Sequence, residues 1–282
     1  MNTAHIAELL DPFLRAPIAA ADHSESAPAP SKPPAPCHSE PANAGEEPAA
    51  VLSSAQLQSI STYIDILLRW NARINLTAIR DPEDIVTRHF GESLFAARHL
   101  YPASHTSSSH RYPAGHVDPS HVGPSGRAAL QGRVTSQKET GALAPESVAD
   151  VGSGAGFPGL PIKLWAPHLA LTLIESNHKK SAFLREVARA LTLTDVNIQT
   201  ARAETLTATF DLVTLRAVER FDAILPAAAA LVAPAGRLAL LISAAQEAQA
   251  RSTLPHLEWS TPIPVPQSRS RVLLVAHRAI PH

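Results

Sequence analysis

The chain has 282 residues, enough for one large domain or two small ones with a sizeable core. It carries 24 Lys and Arg against 25 Asp and Glu, so its overall charge gives no sign of a nucleic-acid partner, and such a partner would need a local basic face. The single cysteine, Cys37, excludes a disulfide framework within the chain and a zinc site of several cysteines. It lies in a proline-rich segment, which argues against a cysteine nucleophile held in a cleft.

The first twenty residues are a poor signal peptide, because they contain Glu8 and Asp11 and no Lys or Arg before Arg15. No later run is apolar for long enough to span a bilayer. We therefore expect a cytoplasmic protein with no membrane partner, and we expect it to be a monomer.

Residues 1–50 are predicted to be mostly disordered. Residues 1–48 contain nine prolines interleaved with Ala, Ser and Glu, and large apolar side chains are scarce. Such a segment cannot offset its ordering entropy by burial. A small apolar cluster predicts one or two helical turns at the very start: Ile6, Leu9, Leu10 and Phe13.

The sequence of residues 51–101 predicts two N-terminal helices. The first begins after Ser53, a predicted N-cap with Gln56 as its capping-box partner. The second begins after Asp81, another predicted N-cap, and runs to about Leu100. The apolar residues expected to be buried recur at helical spacing: Leu57, Ile60, Ile64, Leu67 and Leu68 in the first helix, and Ile85, Val86, Phe90 and Leu94 in the second.

Residues 102–146 break this pattern. They contain five prolines and many Ser and Gly residues, without a helical or strand period. Their histidines suggest a metal-binding tract, but no cysteine and no i, i+4 histidine pair supports one. We therefore predict a disordered insertion and no metal site. The histidines are His105, His110, His116 and His121.

After residue 146, strands and helices alternate, which predicts an α/β domain over residues 147–282 with a mostly parallel sheet. Two closely spaced strands near the end, with no clear helix between them, are expected to pair antiparallel. The predicted strands are 148–151, 170–174, 196–199, 212–215, 237–242, 257–259 and 272–276. The predicted helices lie near 158–165, 181–191 and 221–232.

A glycine-rich loop follows the first predicted strand, and an acid, Glu175, follows the second. Gly152 and Gly154 let the backbone approach a ligand, and Gly156 relieves the turn. Phe157 offers an apolar wall, while an acid at the position of Glu175 can accept hydrogen bonds from two ribose hydroxyls. This order predicts a nucleoside cofactor, although nicotinamide, flavin and S-adenosylmethionine enzymes share it. The alternative is a tight turn that binds nothing.

Polar residues also follow the next two strands. Ala203 and Glu204 come after the third strand, and Arg216 comes after the fourth. Since parallel strand ends converge on the crevice where ligands bind, these residues are expected to line one pocket with Glu175. Glu204 can accept from an adenine amino group, and Arg216 is well placed to hold an anion or a carboxylate. For both, the alternative is a surface charge beside a loop.

Several motifs occur in a fixed order: Trp70-Asn71 with Ile74-Asn-Leu-Thr77, Arg88-His-Phe90 with Glu92-Ser-Leu94, Asp150 to Gly159, Glu175-Ser176 with Lys179-Lys180, Phe183 to Val187, Arg202-Ala-Glu204 and Arg216-Ala217. This set spans roughly residues 52–100 and 147–278, and it resembles the bacterial small-subunit rRNA methyltransferase G family, also called the glucose-inhibited division protein B family. The resemblance implies a Rossmann-like S-adenosylmethionine-dependent methyltransferase fold: a mostly parallel seven-stranded sheet with an N-terminal helical extension. It also implies methyl transfer to the N7 atom of one guanine in 16S rRNA, with the 30S small ribosomal subunit as partner.

Two other functions stay open. One is a ribosome-assembly RNA-binding protein that retains the fold with little turnover. The other, a Rossmann oxidoreductase, is disfavoured because that function gives no reason for Arg202-Ala-Glu204 or Arg216.

The resemblance also implies a set of cofactor-pocket positions. These are Gly152, Phe157, Ala203, Glu204 and Arg216, with Glu175 as the ribose ligand of the wider fold and Gly154 and Gly156 in the same loop.

The implied chemistry needs no general base and no nucleophile, so no catalytic residue of either kind is expected. Guanine N7 has a free lone pair, and the sulfonium is an activated leaving group, so alignment of the reactants can supply most of the rate. Cytosine C5 methylation would need a cysteine, for which Cys37 is a poor candidate. Amino-group methylation often uses an Asp/Asn-Pro-Pro-aromatic loop, where this chain has Thr214-Leu-Arg-Ala217.

Local cations are candidates for contacts to RNA phosphates, and for any one of them the alternative is a plain solvated charge. The main candidates are Arg73, Arg88, Lys179 and Lys180, within a wider set of Arg69, Arg80, Arg98, Arg185 and Arg189.

The chain departs from the family in two places. The connection before the glycine loop is long, and Ser243-Ala-Ala245 takes the place of a lysine and a glycine in the loop near the RNA or methyl acceptor.

Overall fold

The computed structural model describes residues 1–16, 51–102, 145–216 and 221–279. Several predictions lie outside these residues: the disorder of residues 17–50, Cys37, and the insertion of residues 103–144 with its four histidines. They stay predictions.

The chain begins with helix α1 (Thr3–Leu14), which is longer than the one or two turns that the sequence predicts. Its buried residues are Ile6, Leu10, Phe13 and Leu14, the spacing of one helical face. The apolar cluster correctly predicts helical structure at the start of the chain, but the proline-rich composition of residues 1–50 as a whole leads to an underestimate of its length. Residues 3–14 are therefore an ordered helix of the core and not part of a disordered segment.

The second helix, α2 (Ser54–Asn71), confirms the predicted capping box. Ser53 Oγ accepts from the Gln56 backbone N–H at 3.3 Å, and Gln56 Oε1 accepts from the Ser53 backbone N–H at 2.8 Å. These bonds satisfy two donors that a helix N-terminus otherwise leaves unpaired.

The second predicted front helix is one helical path in three parts. These are α3 (Pro82–Ile85), a six-residue π-helical stretch (Val86–Gly91), called the π segment below, and α4 (Glu92–Leu100). Asp81 caps α3, as predicted, by accepting from the backbone N–H groups of Glu83 and Asp84. Only the π segment departs from the prediction, because apolar spacing does not distinguish i, i+5 from i, i+4 hydrogen bonding.

Within the described residues, eight strands form one mixed sheet. The parallel part has the order β3-β2-β1-β4-β5, and β8 follows β5 antiparallel, with β6 and β7 both paired to β8. The strands are β1 (Ser147–Val151), β2 (Ala170–Ile174), β3 (Val196–Gln199), β4 (Phe210–Arg216), β5 (Val232–Ser243), β6 (Glu258–Trp259), β7 (Ile263–Pro264) and β8 (Arg271–His277). The remaining helices are α5 (Gly159–Trp165), α6 (His178–Ala190), α7 (Phe221–Ala230) and α8 (Glu247–Thr253).

This topology confirms the predicted α/β class, the mostly parallel sheet and the antiparallel end. Seven strands lie in one row, as expected, and the two-residue strand β7 is the eighth. The sequence pattern misses β7 because two residues carry no period, and it misses α8 because that helix buries only Ala250.

Apolar cores lie on both faces of the sheet, since neighbouring residues of β1, Val148 and Ala149, belong to different clusters. One core contains the front helices with α5 and α6, and the other contains α7 and α8. In the first core, α1 packs closely on the π segment. A Cβ atom at Gly91 would lie 2.6 Å from the Phe13 ring, so glycine is needed for this contact.

Candidate functional site

A cavity of about 270 Å³ opens where β1, β2 and β3 end. The ends coincide because the strands are parallel and in register, with Val151 of β1 opposite Ile174 of β2. In open α/β sheets this edge is where ligands bind. Four of the eight predicted cofactor residues line the cavity: Gly152, Glu175, Ala203 and Glu204.

The loop after β1 is anchored on its cavity side by backbone hydrogen bonds. The Gly152 and Ser153 N–H groups both donate to the Ile174 carbonyl, at 2.9 and 3.1 Å. The Gly156 N–H donates to the Ser153 carbonyl at 2.6 Å. Gly156 has a φ of 86°, and a side chain there would overlap the Tyr63 hydroxyl. Glycine at this position therefore lets α2 pack directly against the loop.

Glu175 joins the second strand to this loop. Its Oε2 accepts from the Gly154 N–H at 2.9 Å, and its Oε1 accepts from the Asn177 N–H at 2.8 Å. The side chain lines the cavity although the residue is only 6% exposed. Two backbone donors thus fix the carboxylate, and each oxygen keeps a further lone pair with which it can accept from a ligand hydroxyl.

Beyond β3, the backbone forms a single 3₁₀ turn, Ala203–Thr205. Ala203 is buried in the cavity wall, while Glu204 is exposed at its rim. The sequence interpretation did not assign several other lining residues. These residues are Ser176, Ala201, Arg202, Ala223 and Ile224. Ala223 and Ile224 of α7 could not be predicted from the sequence, because no local pattern indicates that this helix packs beside the cavity.

The other four predicted cofactor residues, Gly154, Gly156, Phe157 and Arg216, do not line this cavity. Phe157 instead projects from the loop into a buried aromatic group. Its ring stacks on Tyr63 at a centroid distance of 5.3 Å and on His89 at 4.7 Å. It also meets the edge of Phe90 at 5.1 Å. Phe157 therefore connects the glycine loop to α2 and to the π segment.

Arg216, at the end of β4, extends the same connection. Its guanidinium forms an ion pair with Glu92 at 2.8 Å and also donates to the Arg88 carbonyl. Burial lowers the pKa of Arg216, and the Glu92 carboxylate opposes that shift. The sequence predicts that Arg216 holds an anion or a carboxylate. In this structure the carboxylate is that of Glu92.

His89 lies between these groups as a neutral imidazole. Burial, followed by the charges of Arg216, Arg88 and Arg271, lowers its pKa to about 3. Its Nδ1 is 3.2 Å from the Arg216 Nη1, and its Nε2 is 2.8 Å from the Thr77 Oγ1. A guanidinium can only donate, so Nδ1 accepts and Nε2 carries the proton that is donated to Thr77.

Asp150 is fully buried beneath the glycine loop. It accepts from the Thr214 hydroxyl at 2.9 Å and from the Gly159 N–H at 3.2 Å. Burial raises its pKa to about 7, although these hydrogen bonds favour the charged form. Asp150 therefore holds the start of α5 against β4, and it is not one of the residues that line the cavity.

A model of the rRNA small subunit methyltransferase G family matches residues 56–106 and 134–267, more than half of the chain. The chain belongs to this family. Relatives named ribosomal RNA small subunit methyltransferase G include one from Halorhodospira halophila, 34% identical over 82% of this chain and 92% of the relative. Another, from Xylella fastidiosa, is 32% identical over 77% of this chain and 84% of the relative. A third, from a Roseiflexus species, is 38% identical over 59% of this chain, which spans about half the length of that relative, 56%.

Solved structures show weaker likeness. A magnesium protoporphyrin IX methyltransferase from Synechocystis with bound S-adenosylmethionine has a TM-score of 0.42 and 18% identity, covering 49% of this chain and 72% of that one. A S-adenosylmethionine-dependent methyltransferase from Aquifex aeolicus has a TM-score of 0.41 and 15% identity, covering 48% of this chain and 84% of that one.

The front motifs that resemble this family lie at the junction between the front helices and the sheet. Arg88-His-Phe90 lies in the π segment, and Glu92 follows it as the first residue of α4. These residues contact Phe157 of the glycine loop and Arg216 at the end of β4. In this chain the front helices are therefore joined to the glycine loop and to the end of β4 by buried polar and aromatic contacts.

The predicted RNA-contacting cations differ in exposure. Arg73, Arg88 and Lys179 are exposed, and Lys180 is partly buried. Arg98 is not available to a phosphate, because it is buried and donates to the Ala16 carbonyl. The prediction for Arg98 is therefore wrong. Residues on more than one face of α4 are buried, which the helical spacing of its apolar residues does not reveal.

No group of three potential metal ligands occurs among the residues that the structure describes. In the same part of the chain, none of the helices combines the length and the apolar character needed to cross a membrane.

Proposed function

We propose that this protein transfers a methyl group from S-adenosylmethionine to the N7 atom of a guanine in 16S rRNA of the 30S subunit. The observation that carries the proposal is the meeting of the glycine loop, Glu175 and Glu204 in one cavity at the end of the parallel strands. Membership of a family whose members are named rRNA small subunit methyltransferases supports the substrate class.

The residues fit a nucleoside that carries a positive sulfonium better than a dinucleotide. Glu175 suits the ribose of either cofactor, so the distinction rests on Glu204, a second carboxylate at the cavity rim, beside which the pyrophosphate of a nicotinamide cofactor would be repelled. The Glu175 carboxylate, fixed by two backbone N–H groups, suits the two ribose hydroxyls. The Ala203 backbone and Glu204 would hold the adenine.

The bound cofactor supplies an activated methyl group, and the protein supplies alignment and exclusion of water. Because guanine N7 has a free lone pair and the sulfonium is an activated leaving group, the proposed reaction needs neither a general base nor a nucleophile from the protein. Phe157 and Arg216, which the family resemblance places in the cofactor pocket, would act from the loop side and the β4 side. Alignment of guanine with the methyl group would then set the rate.

Exposed or partly exposed cations on the front helices and α6 would hold the RNA. Arg73 and Arg88 lie on the front portion, and Lys179 and Lys180 lie in the first turn of α6. Each phosphate contact contributes to a salt-dependent affinity without reading sequence. The protein would act as a monomer in the cytoplasm.

Isothermal titration and a transfer assay test this proposal. We expect heat with S-adenosylmethionine and S-adenosylhomocysteine and none with NAD. We also expect transfer of a labelled methyl group to 30S subunits or 16S rRNA that lack the modification, with the product identified as 7-methylguanosine by nucleoside mass spectrometry. Heat only with NAD would overturn the proposal. Cofactor binding without transfer to either substrate would favour the RNA-binding alternative.

A further inference from the structure

The π segment places two neighbouring side chains in different surroundings. Arg88 is exposed, whereas His89 points into the junction between the front helices and the sheet. The His89 ring lies nearly parallel to that of Phe157, with an interplanar angle of 18°. π-Helical insertions are frequent at functional sites, which makes His89 a candidate for a role beyond packing.

Every polar atom of the His89 ring is engaged, and the partners allow only one tautomer. Thr77 Oγ1 accepts the Nε2 proton and also accepts from the Ile79 N–H at 3.1 Å. Nδ1 is then free to accept from Arg216. His89 thus connects the loop before α3 with the end of β4 through two directed hydrogen bonds.

The glycine loop is therefore held from two sides. On the cavity side, the Ile174 carbonyl and the Glu175 carboxylate fix its backbone. On the other side, Tyr63 and His89 hold the Phe157 ring between them. His89 is also hydrogen-bonded to Arg216, which Glu92 and the Arg88 carbonyl hold as well, so its ring contacts two predicted cofactor residues at once.

We propose that His89 is a positioning residue for methyl transfer, which holds Phe157 and Arg216 in register with the cofactor cavity. The inference rests on the proposed function, because it takes Phe157 and Arg216 as cofactor-pocket residues. Neither His89 nor these two side chains line the cavity, so His89 acts indirectly, through Arg216 at the end of β4 and through Phe157 in the glycine loop whose Gly152 does line it. Small displacements of such groups are costly, since an error of about 1 Å can lower a rate roughly a hundredfold.

Two variants separate the functions of the ring. His89→Phe keeps a ring to stack on Phe157 and loses both hydrogen bonds. His89→Gln keeps groups that can accept from Arg216 and donate to Thr77, and loses the stack. The matched control is His99→Gln in α4, because His99 is also partly buried and bonded, through Nδ1 to the Phe95 carbonyl at 2.8 Å, away from the cavity.

The experiment measures the Kd for S-adenosylhomocysteine, the kcat and KM for methyl transfer to 30S subunits, and the Tm of each variant. We expect both His89 variants to bind S-adenosylhomocysteine about tenfold more weakly and to lose about tenfold or more in kcat, with the KM for 30S subunits within about twofold of wild type. His99→Gln should lower the Tm to a similar extent and change neither Kd nor kcat by more than about twofold.

A spectroscopic arm does not depend on turnover. In protein with ¹⁵N-labelled histidine, long-range ¹H–¹⁵N spectra should show His89 as the Nε2–H tautomer, and its nitrogen shifts should move when S-adenosylhomocysteine is added. Thr77→Val should leave the Nε2–H tautomer in place, because Arg216 still donates to Nδ1. Since it removes the acceptor of the Nε2 proton, it should weaken cofactor binding in the same direction as the His89 variants.

The proposal is overturned if both His89 variants keep Kd and kcat within about twofold of wild type, or if His99→Gln shows the same losses. Failure of the proposed function has a different result: wild-type protein would transfer no methyl group. In that case the Kd and tautomer measurements still decide the role of His89. If the His89 variants do not fold, Thr77→Val decides it, and unchanged cofactor affinity in that variant would overturn the proposal.

Discussion

Arg216 and Glu92 form an ion pair in which the nitrogen–oxygen distance is 2.8 Å and the side chains are only 6% and 7% exposed. It joins the end of a central strand to the first turn of α4. A buried pair of this kind gains little net free energy, because desolvation offsets the Coulomb attraction, but loss of one partner leaves a buried charge without compensation.

Glu92→Gln is therefore expected to lower the free energy of unfolding by about 3–5 kcal/mol. The measurement is urea unfolding at neutral pH. As a control, Glu247→Gln removes one partner of the more exposed pair with Arg251 and should cost less than about 1 kcal/mol. The double variant Glu92→Met with Arg216→Met should regain most of the lost stability. Equal losses for Glu92→Gln and Glu247→Gln would contradict the assignment.

Glu175 should determine cofactor affinity more than fold stability. In Glu175→Gln, one amide oxygen replaces two carboxylate oxygens that accept from Gly154 and Asn177, and the charge that favours ribose hydroxyl donors is lost. We expect roughly a tenfold rise in the Kd for S-adenosylhomocysteine, which corresponds to about 1.4 kcal/mol. Calorimetry checks this against Glu258→Gln, an exposed acid on β6. A Kd unchanged in Glu175→Gln would remove this residue from the site.

Stability should depend on pH through two groups with opposite shifts. The pKa of His89 falls from its ordinary value of 6.5 to about 3, so between these values the unfolded state binds the extra proton and stability is lost as pH falls. The pKa of Asp150 rises from 3.8 to about 7, so the native state binds the extra proton and stability is lost as pH rises. Between about pH 4 and 6.5 the two contributions should nearly cancel.

Single substitutions expose each slope. In Asp150→Asn the free energy of unfolding should rise more steeply with pH than in wild type between pH 4 and 6.5, by up to about 1.4 kcal/mol per unit, because the opposing contribution of Asp150 is removed. In His89→Phe the slope should be lower than in wild type over the same range, by up to a similar amount, because the contribution of His89 is removed. Urea unfolding at several pH values measures the slopes, which do not depend on the overall loss of stability in each variant. Parallel slopes in wild type and both variants would show that neither group titrates as described.

Much of the domain follows from local sequence signals. The glycine loop, Glu175 and the turn at Ala203 each follow a clear apolar strand, and parallel strand ends must meet at one edge. The partners of Phe157 and Arg216 do not follow from such signals. They come from the front helices, and their approach depends on long-range packing of α2 and the π segment that no local period encodes.

Helix α1 shows the same limit on the fold. Its apolar face is short, and it is followed by a proline-rich stretch, so composition averaged over residues 1–50 predicts disorder. Phe13→Ala should nevertheless cost about 3–5 kcal/mol, because Phe13 is 1% exposed and packs against Gly91. Leu9→Ala, at a partly buried position of the same helix, should cost clearly less in urea unfolding. A loss below about 1 kcal/mol for Phe13→Ala would contradict the packing of α1.

The described residues on either side of residues 103–144 are held together by direct contacts. The Tyr101 hydroxyl donates to Glu146 Oε1 at 3.0 Å. Arg237 donates to the same carboxylate at 2.7 Å and to the Leu100 carbonyl at 3.1 Å. A short linker can therefore join Pro102 to Pro145 without moving either helix α4 or strand β1.

Replacement of residues 103–144 by about six Gly and Ser residues should leave the fold and the Kd for S-adenosylhomocysteine unchanged. If residues 103–144 are disordered, as the sequence predicts, shortening them about sevenfold lowers the loop-closure cost by about 1.7 kcal/mol, so the free energy of unfolding should stay equal or rise. Thermal unfolding and calorimetry on the full-length and shortened proteins measure both quantities. Tyr101→Phe in the shortened protein is the matched control, since it removes the bond to Glu146 and should cost about 1 kcal/mol. A drop in Tm of many degrees on shortening would show that the replaced residues support the core.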